Sequence, residues 1–177
     1  MSELFSWLGS FGEERLKGRL EAIYMASAAG EPMVAVESAE AIPGKGLSGD
    51  RYAQGTGHWR LTDGCEVTLV SSKEIQAGGE ALEDGRHRRN LVVSGIDLQA
   101  ARRRRVQIGE VVFEFHRLRP PCGYLDRVSG PGAAKALRKR GGIGLRVVSG
   151  GRIRVGDKVR LVDQQPEKRP ERRVERP

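Results

Sequence analysis

The sequence predicts a mainly β protein, built as a closed or nearly closed β-barrel with a few short peripheral helices. Apolar and polar residues alternate over several short segments, which is typical of strands with one buried face. Twenty-four glycines and eight prolines are spread along the chain, so turns are frequent. The strand segments follow one another without a βαβ rhythm, which favours a barrel over a parallel nucleotide-binding fold.

The first half of the chain predicts strands, one long loop and one helix. Residues 41–59 are rich in glycine and polar side chains, and loops of this length are usually functional or disordered. Residues 72–82 predict a helix that is interrupted at Gly78 and Gly79. Strands are predicted at 19–27, 31–39 and 65–72.

The second half continues the strand pattern around one short helix. Pro131 and Gly132 open a helix over 133–140, for which Ser129 is the expected N-cap and Gly141 the stop. The remaining patterns are a strand and turn in 88–98, a hairpin in 104–118 that turns at Ile108–Glu110, and strands in 145–162 that turn at Gly150-Gly151 and at Gly156-Asp157.

These patterns divide the chain into a barrel and two extensions. Residues 1–18 predict a short amphipathic segment that packs on the barrel or on a partner chain, so an oligomer is one expectation. Residues 19–163 form the barrel domain. Residues 164–177 are strongly charged and almost without apolar side chains, which predicts disorder.

Charge and cysteine content limit the function classes. Lys and Arg total 31 against 23 Asp and Glu, and the net charge of +8 favours an anionic partner such as nucleic acid, an acidic protein or a phosphorylated small molecule. Cys65 and Cys122 are far apart and belong to no CxxC or Cys/His cluster, which argues against structural zinc. Because no secretion signal and no apolar run of about 18 residues is present, we expect a soluble cytoplasmic protein with reduced thiols and no membrane partner.

The stretch RLRPPCGYLD (117–126) makes Cys122 the sharpest candidate for chemistry. Two prolines restrict the backbone before the thiol, and Gly123 lets the chain turn after it. Arg117 and Arg119 would favour the thiolate if they lie near the sulfur. An inert structural cysteine is the alternative at this position, and it is the favoured interpretation for Cys65.

Several cationic and acidic residues form weaker candidates. Arg88 and Arg89, in RRN, can hold a phosphate bidentately or can be solvated edge-strand charges. The run Arg102–Arg105 is either a solvated turn or a phosphate or nucleic-acid patch. Asp50 and Asp157 each follow a glycine, a position typical of an Asx turn, and His58 is a weak signal by itself.

Taken in order, seven segments resemble a MOSC domain, the domain named for the C-terminal part of molybdenum-cofactor sulfurase. The resemblance covers about residues 20–162 and implies a predominantly β barrel with peripheral helices. The segments are GLSGDRYA, CEVTLVS, RRNLVVSGIDL, QIGEVVFEF, PPCGYLDRVSGPG, RGGIGLRVVSGG and IRVGDKVRL.

The resemblance implies roles for particular residues. Cys122 matches the functional cysteine of the family, which is proposed to carry sulfur in some members and is a ligand of molybdenum in the amidoxime-reducing members. The pterin cofactor, molybdopterin, ends in a phosphate, and Arg88 best matches the phosphate-contacting arginine, with Arg89 beside it. The weaker cofactor-binding candidates are Asn90, Arg119, Arg140 and Asp50, of which Asn90 and Asp50 also suit a structural role.

One departure from the family pattern bears on the mechanism. Many short relatives have a second cysteine three residues before the functional one, and this chain has Arg119 there. A persulfide resolved by a neighbouring thiol is therefore not expected.

The resulting prediction is a protein that binds molybdenum cofactor or carries sulfur through Cys122, with reduction of N-hydroxylated compounds as one catalytic form. Its expected partners are a pyridoxal-phosphate-dependent cysteine desulfurase or a redox protein. The alternative is a non-enzymatic basic barrel that binds nucleic acid, or another anionic partner, through Arg102–Arg105 and the charged tail 164–177.

Overall fold

The computed structural model describes residues 17–58, 65–138 and 141–163, and these ranges are mainly β. The strands are β1 (Lys17–Met25), β2 (Val34–Val36), β3 (Ser38–Ile42), β4 (Gly46–Leu47), β5 (Val67–Ser71), β6 (Leu91–Ser94), β7 (Arg105–Ile108), β8 (Val111–Leu118), β9 (Ile143–Ser149), β10 (Gly151–Arg154) and β11 (Lys158–Val162). The helices are α1 (Ser72–Gly78), α2 (Gly123–Ser129) and α3 (Ala133–Leu137), and single 3-10 turns lie at Gly79–Ala81 and Ala100–Arg102. No helix in these ranges is long and apolar enough to cross a bilayer.

Seven strands close into a barrel, which confirms the predicted fold class. They are hydrogen-bonded in the order β11-β7-β8-β9-β5-β6-β1, and β1 pairs back onto β11. The neighbours are antiparallel except β5 and β6, which are parallel. Closure satisfies the backbone groups that an open sheet would leave at its two edges.

Strand β1 carries both the closure and a branch of the sheet. Its first residues pair with β11 and its last residues, from Ile23 to Met25, pair with β2. Its other side pairs with β6, with a register shift between Leu20 and Ala22. A separate small sheet of order β10-β3-β4 lies beside the barrel.

The barrel interior is filled by the inward residues of the alternating strands. In β8, for example, Val111 and Phe113 are buried while the residues between and after them are partly exposed. The largest fully buried side chains of this core are Phe113, Leu20, Ile23, Leu47, Leu69, Leu91, Ile108, Ile143, Leu145 and Ile153. A smaller cluster of Leu82, Leu125, Ala133 and Leu137 joins α1, α2 and α3.

The predicted helices are correct in place and wrong in detail. α1 ends at Gly78, and Gly79 follows with a positive φ, as the glycine pair predicts. Ser129 is not the N-cap of α3, because it belongs to α2 and Gly132 caps α3 instead. The sequence reasoning had missed α2, whose short length leaves little helical periodicity to detect.

Strand boundaries differ from the predictions mainly in the first half. The segment 31–39 contains β2 and the start of β3, separated at Glu37, and the predicted loop 41–59 includes β4. β1 begins at Lys17, inside the range assigned to the N-terminal segment. The predicted turns at Gly109, Gly150 and Gly156 are confirmed between β7 and β8, β9 and β10, and β10 and β11. The predictions for 1–16 and 164–177 lie outside the described residues.

Candidate functional site

A cavity of about 460 Å³ brings together three segments that are distant in sequence. They are the loop after β4, the residues before β6, and the turn from β8 into α2. This volume is within the usual range of small-molecule sites. Among the described residues its lining includes no Asp or Glu, and the polar and cationic members are Arg51, Tyr52, His58, Arg88, Arg89, Arg117, Arg119, Cys122 and Tyr124.

Cys122 lies at the corner that the sequence predicts. β8 ends at Leu118, two prolines follow, and Cys122 then takes extended φ and ψ angles of −137° and 170° as the first residue before α2. The turn is held at Arg119, whose N–H donates to the carbonyl of Gly142 at 3.0 Å. Cys122 is exposed, whereas Cys65 is buried with its Sγ donating to the carbonyl of Val67 at 3.3 Å.

Arg89 reaches the cavity, but most of its guanidinium is committed to the backbone. Its Nε donates to the carbonyl of Gly141 at 2.6 Å, and one terminal nitrogen donates to the carbonyl of Arg119 at 3.0 Å. The other terminal nitrogen donates to the carbonyls of His87 and Arg88. Burial, with the Arg119 charge second, lowers the pKa of Arg89 to about 10. Arg89 therefore fastens the turn before Cys122 to the β6 entrance and the β9 entrance.

Arg88 keeps guanidinium donors that could contact a ligand. The residue has a positive φ of 59°, which is uncommon for a side chain other than glycine. One of its terminal nitrogens donates to the carbonyl of Glu31, and the Arg88 carbonyl accepts from Arg51 at 3.4 Å. Burial, followed by the nearby Arg51 charge, lowers the pKa of Arg88. A guanidinium has five N–H donors, so several remain for an anion in the cavity.

Arg51 is a cavity residue that the sequence reasoning did not name, although it follows the candidate Asp50. Its side chain is 4% exposed and donates to Asp50 Oδ2 at 3.1 Å and to the sulfur of Met33 at 3.0 Å. Its guanidinium carbon lies 4.7 Å from the ring centroid of Tyr52. The sequence Gly49-Asp50-Arg51 could have indicated this role, because a buried acid often has a neighbouring cation.

Asp50 and Asn90 are buried and are not among the described lining residues of the cavity. Asp50 is 1% exposed, and its carboxylate accepts from the N–H groups of Ala26 and Tyr52, from Arg51 and from the amide of Asn90. The carbonyl oxygen of the Asn90 side chain accepts from the N–H and hydroxyl of Thr68 at 3.1 and 2.8 Å. Their polar groups are used within the fold, so their geometry supports a structural role that positions Arg51.

Aromatic rings form another wall of the cavity. The His58 and Tyr124 rings are parallel, with their centroids 3.8 Å apart, and this contact joins the loop after β4 to α2. Arg127 lies 5.6 Å from the Tyr124 centroid. Arg119 donates to the Tyr52 hydroxyl at 3.3 Å. His58 is only a weak signal in the sequence, because the ring that it contacts is 66 residues away.

One other candidate has no described place in the cavity. Arg140 lies outside the described residues, although its neighbour Gly141 accepts from Arg89. Within the described ranges, no three His, Cys, Asp or Glu side chains form a metal-ligand set. Among the described residues, Cys122 therefore belongs to no cluster of metal ligands.

Comparison with known protein families confirms the resemblance to the MOSC domain. The family model for the MOSC domain matches residues 49–160, which include the cavity segments and Cys122. The chain belongs to the MOSC domain family.

Solved structures share the MOSC fold of this chain at low sequence identity. YuaD protein from Bacillus subtilis is 15% identical, with a TM-score of 0.68 over 86% of this chain and 100% of that one. YiiM from Geobacillus stearothermophilus is 14% identical, with a TM-score of 0.61 over 82% of this chain and 75% of that one. YiiM from Escherichia coli is 16% identical, with a TM-score of 0.56 over 83% and 71%. No curated protein sequence gives a significant match to the chain.

Proposed function

We propose that this MOSC protein binds the molybdenum cofactor, with Cys122 as the protein's thiolate ligand and Arg88 as the main phosphate contact. The observation that carries the proposal is that one exposed cysteine and five arginines line the same cavity. A soft thiolate suits a transition metal, and a guanidinium suits a phosphate.

The chemistry of the donor set fits a group that is anionic, bears a phosphate and supplies most of its own metal ligands. The described lining provides cations without a facing carboxylate, and one thiol without a cluster of other metal ligands. Arg89 and Arg51 are largely committed to internal partners, so their role is to hold the turn and to add positive charge. Arg88 has the spare donors that a phosphate needs.

When bound, the cofactor would supply the redox chemistry that reduces N-hydroxylated bases or amidoximes in related members. The part of this chain is to hold the phosphate at Arg88, to place the Cys122 sulfur at the rim, and to narrow the mouth with His58 and Tyr124. Electrons would come from a separate redox protein, because the sequence has no flavin or nicotinamide motif of its own.

Sulfur transfer is a second candidate function, favoured by the exposure of Cys122. The Cys122 thiolate would attack the outer sulfur of a persulfide on a donor such as a cysteine desulfurase. The donor S–S bond breaks, the donor cysteine leaves as a thiolate, and Cys122 retains the transferred sulfur as a persulfide. Because Arg119 occupies the position three residues earlier and Cys65 is buried, release would need a thiol from the acceptor.

Native mass spectrometry and molybdenum analysis of protein from a molybdenum-replete host test the proposal. We expect a cofactor-sized adduct and molybdenum with the natural chain, and a loss of about tenfold or more with Cys122→Ser. Arg88→Gln should weaken retention about tenfold, because one charge-assisted hydrogen bond contributes roughly 1.5–3 kcal/mol.

Matched controls and the remaining outcomes separate the two candidates. Cys65→Ser can keep a hydrogen bond to Val67, and Arg86→Gln removes an exposed guanidinium beside the same segment, so both should retain molybdenum. A cyanide-releasable sulfur on Cys122 without molybdenum would replace the cofactor proposal with the sulfur-carrier one. If the natural chain carries neither adduct, or if Cys122→Ser retains both, both functions are rejected.

A further inference from the structure

A second cavity on the barrel is not used by the proposed function. Its volume is about 670 Å³, and it is formed by the 3-10 turn Ala100–Arg102, the residues leading into β7, and Phe115 of β8. It shares no described lining residue with the Cys122 cavity. Its polar lining consists of Asp97, Gln99, Arg102, Arg103 and Arg104.

Three consecutive arginines give this groove a concentrated positive charge. Arg102 and Arg103 are exposed, and Arg104 is 33% exposed with an ion pair to Asp163 at 3.0 Å. The Asp163 side chain is 83% exposed, so this ion pair is weak and leaves Arg104 able to exchange Asp163 for another anion. The Asp97 carboxylate also lines the groove, where one oxygen accepts from the N–H of Gln99 at 2.8 Å. Neighbouring like charges repel, and an anion between them relieves that repulsion.

Arg102 and Phe115 provide a flat surface beside the charges. The Arg102 guanidinium carbon lies 5.9 Å from the Phe115 ring centroid, and its terminal nitrogen donates to Gln99 Oε1 at 3.1 Å. Phe115 is partly exposed and packs against the barrel core, which limits the movement of its ring. A cation held over an aromatic ring next to further guanidiniums is a typical surface for stacking a base near its phosphate.

We propose that this groove is a nucleotide-binding site, in which Arg103 and Arg104 contact phosphate and the base stacks on Phe115 and Arg102. The same chemistry recognises a free nucleotide or one unit of a single-stranded nucleic acid. The site is independent of Cys122 and of the molybdenum cofactor.

Binding titrations with defined probes test the site. The probes are ATP, tripolyphosphate, adenosine, and a single-stranded DNA oligonucleotide of ten thymidines. They are measured first at about 0.15 M salt, where exposed charges are screened beyond roughly 8 Å, and then at lower and higher salt. We expect ATP to bind more tightly than tripolyphosphate or adenosine alone. A steeper salt dependence and tighter binding of the oligonucleotide would identify nucleic acid as the source, and tighter binding of ATP would identify a free nucleotide.

The variants distinguish a built site from net charge. The triple variant Arg102→Gln, Arg103→Gln, Arg104→Gln should weaken the tightest probe about tenfold or more, and Phe115→Leu should weaken it about tenfold through lost stacking. The matched control is Arg152→Gln, Arg154→Gln, Arg160→Gln, which removes three exposed charges from β10 and β11. Cys122→Ser is the control for the first cavity, and both controls should bind normally.

Each remaining outcome overturns the proposal. Equal weakening by the two triple variants would mean non-specific attraction by net charge. Loss of binding in Cys122→Ser would place the nucleotide in the first cavity. Absence of binding by every probe at millimolar concentration would show that the groove is a solvated turn. If Phe115→Leu unfolds, judged by circular dichroism, Arg103→Gln alone supplies the test, because its side chain is exposed.

Discussion

His87 is an imidazole that its surroundings keep neutral. It is 1% exposed, its Nδ1 accepts from the N–H of Arg89 at 3.0 Å, and its ring meets the edge of Tyr24 at a centroid distance of 5.0 Å. Burial, followed by the nearby Arg89 charge, lowers the pKa of His87 to about 3. The histidine therefore supports the Arg89 backbone as an acceptor, which a protonated ring cannot do.

The lowered pKa predicts a pH-dependent stability. Between about pH 6.5 and pH 3 the unfolded chain binds a proton at His87 and the folded chain does not. The stability that the neutral His87 ring permits should therefore be fully present above pH 6.5. Below that pH, the free energy of unfolding should fall by up to about 1.4 kcal/mol per pH unit, until the pH reaches about 3. Urea unfolding at several pH values measures this dependence.

The variant His87→Asn isolates this contribution. Its side-chain oxygen can accept from Arg89, but it does not titrate, so the difference in stability from the natural chain should shrink as the pH falls from 7 to 4. His116→Asn, on β8, is the control for removing a histidine elsewhere. Parallel curves for His87→Asn and the natural chain would contradict the assignment.

At the scale of elements, the entrance to β9 holds the cavity wall together through two glycines. Gly141 supplies the carbonyl that accepts from Arg89, and a Cβ there would lie 2.0 Å from the carbonyl oxygen of Arg119. Gly142 has a φ of +82°, and a Cβ there would lie 2.2 Å from the carbonyl oxygen of Leu69 in β5. β9 can approach β5 and the Cys122 turn only because these positions lack a side chain.

Gly142→Ala should therefore destabilise the fold more than the same substitution at a glycine that has a positive φ but open space around it. Gly44 is the matched control, since its φ is +74° and a Cβ there would meet no atom within 4 Å. We expect Gly44→Ala to lower the free energy of unfolding by about 1 kcal/mol, and Gly142→Ala by about 3 kcal/mol because overlap adds to the strain. Denaturant unfolding checks the difference, and equal losses would show that the close approach to β5 is absent in solution.

At the scale of the whole molecule, closure by β1 and β11 makes the barrel one cooperative unit. Val159 of β11 pairs with Gly18 on one side and with Ile108 of β7 on the other. The contact is extended by Leu20, whose N–H donates to the carbonyl of Asp157 at 2.9 Å and whose carbonyl accepts from Gly156 at 2.8 Å. A strand that is paired on both sides has no edge from which to unzip.

Amide hydrogen exchange tests the closure. We expect the amides of β11 that are bonded in the sheet to exchange with about the same free energy as those of β5 and β9, close to that of global unfolding. The short β4, with two residues in a side sheet, is the internal comparison and should exchange faster. If the free energy of opening for the β11 amides is several kcal/mol lower than that for the β5 amides, the barrel opens between β1 and β11.

The local order of residues was enough to predict the barrel and the position of Cys122. Apolar and polar residues alternate in a strand with a period of two, and the two prolines of PPCG restrict the backbone beside them. Both patterns can therefore be recognised from a few neighbouring residues. The turn at Gly109 and the break after Gly78 were found for the same reason. The family motifs added the cysteine role as an expectation, because their order along the chain is specific.

The tertiary structure alone decided which polar residues face the cavity. Arg51 lines the cavity and Asp50 is an internal acceptor, although the two are neighbours in sequence. Arg89 donates to the carbonyls of Gly141 and Arg119, which are 52 and 30 residues away. The His58 ring stacks on that of Tyr124, another lining residue of the cavity. The sequence by itself determined a basic barrel with one thiol at a stiff turn, because steric restriction of the backbone and strand alternation act over a few residues. The tertiary structure decided which side chains are partners, because each buried polar group must bond to a group that the closed fold brings near it.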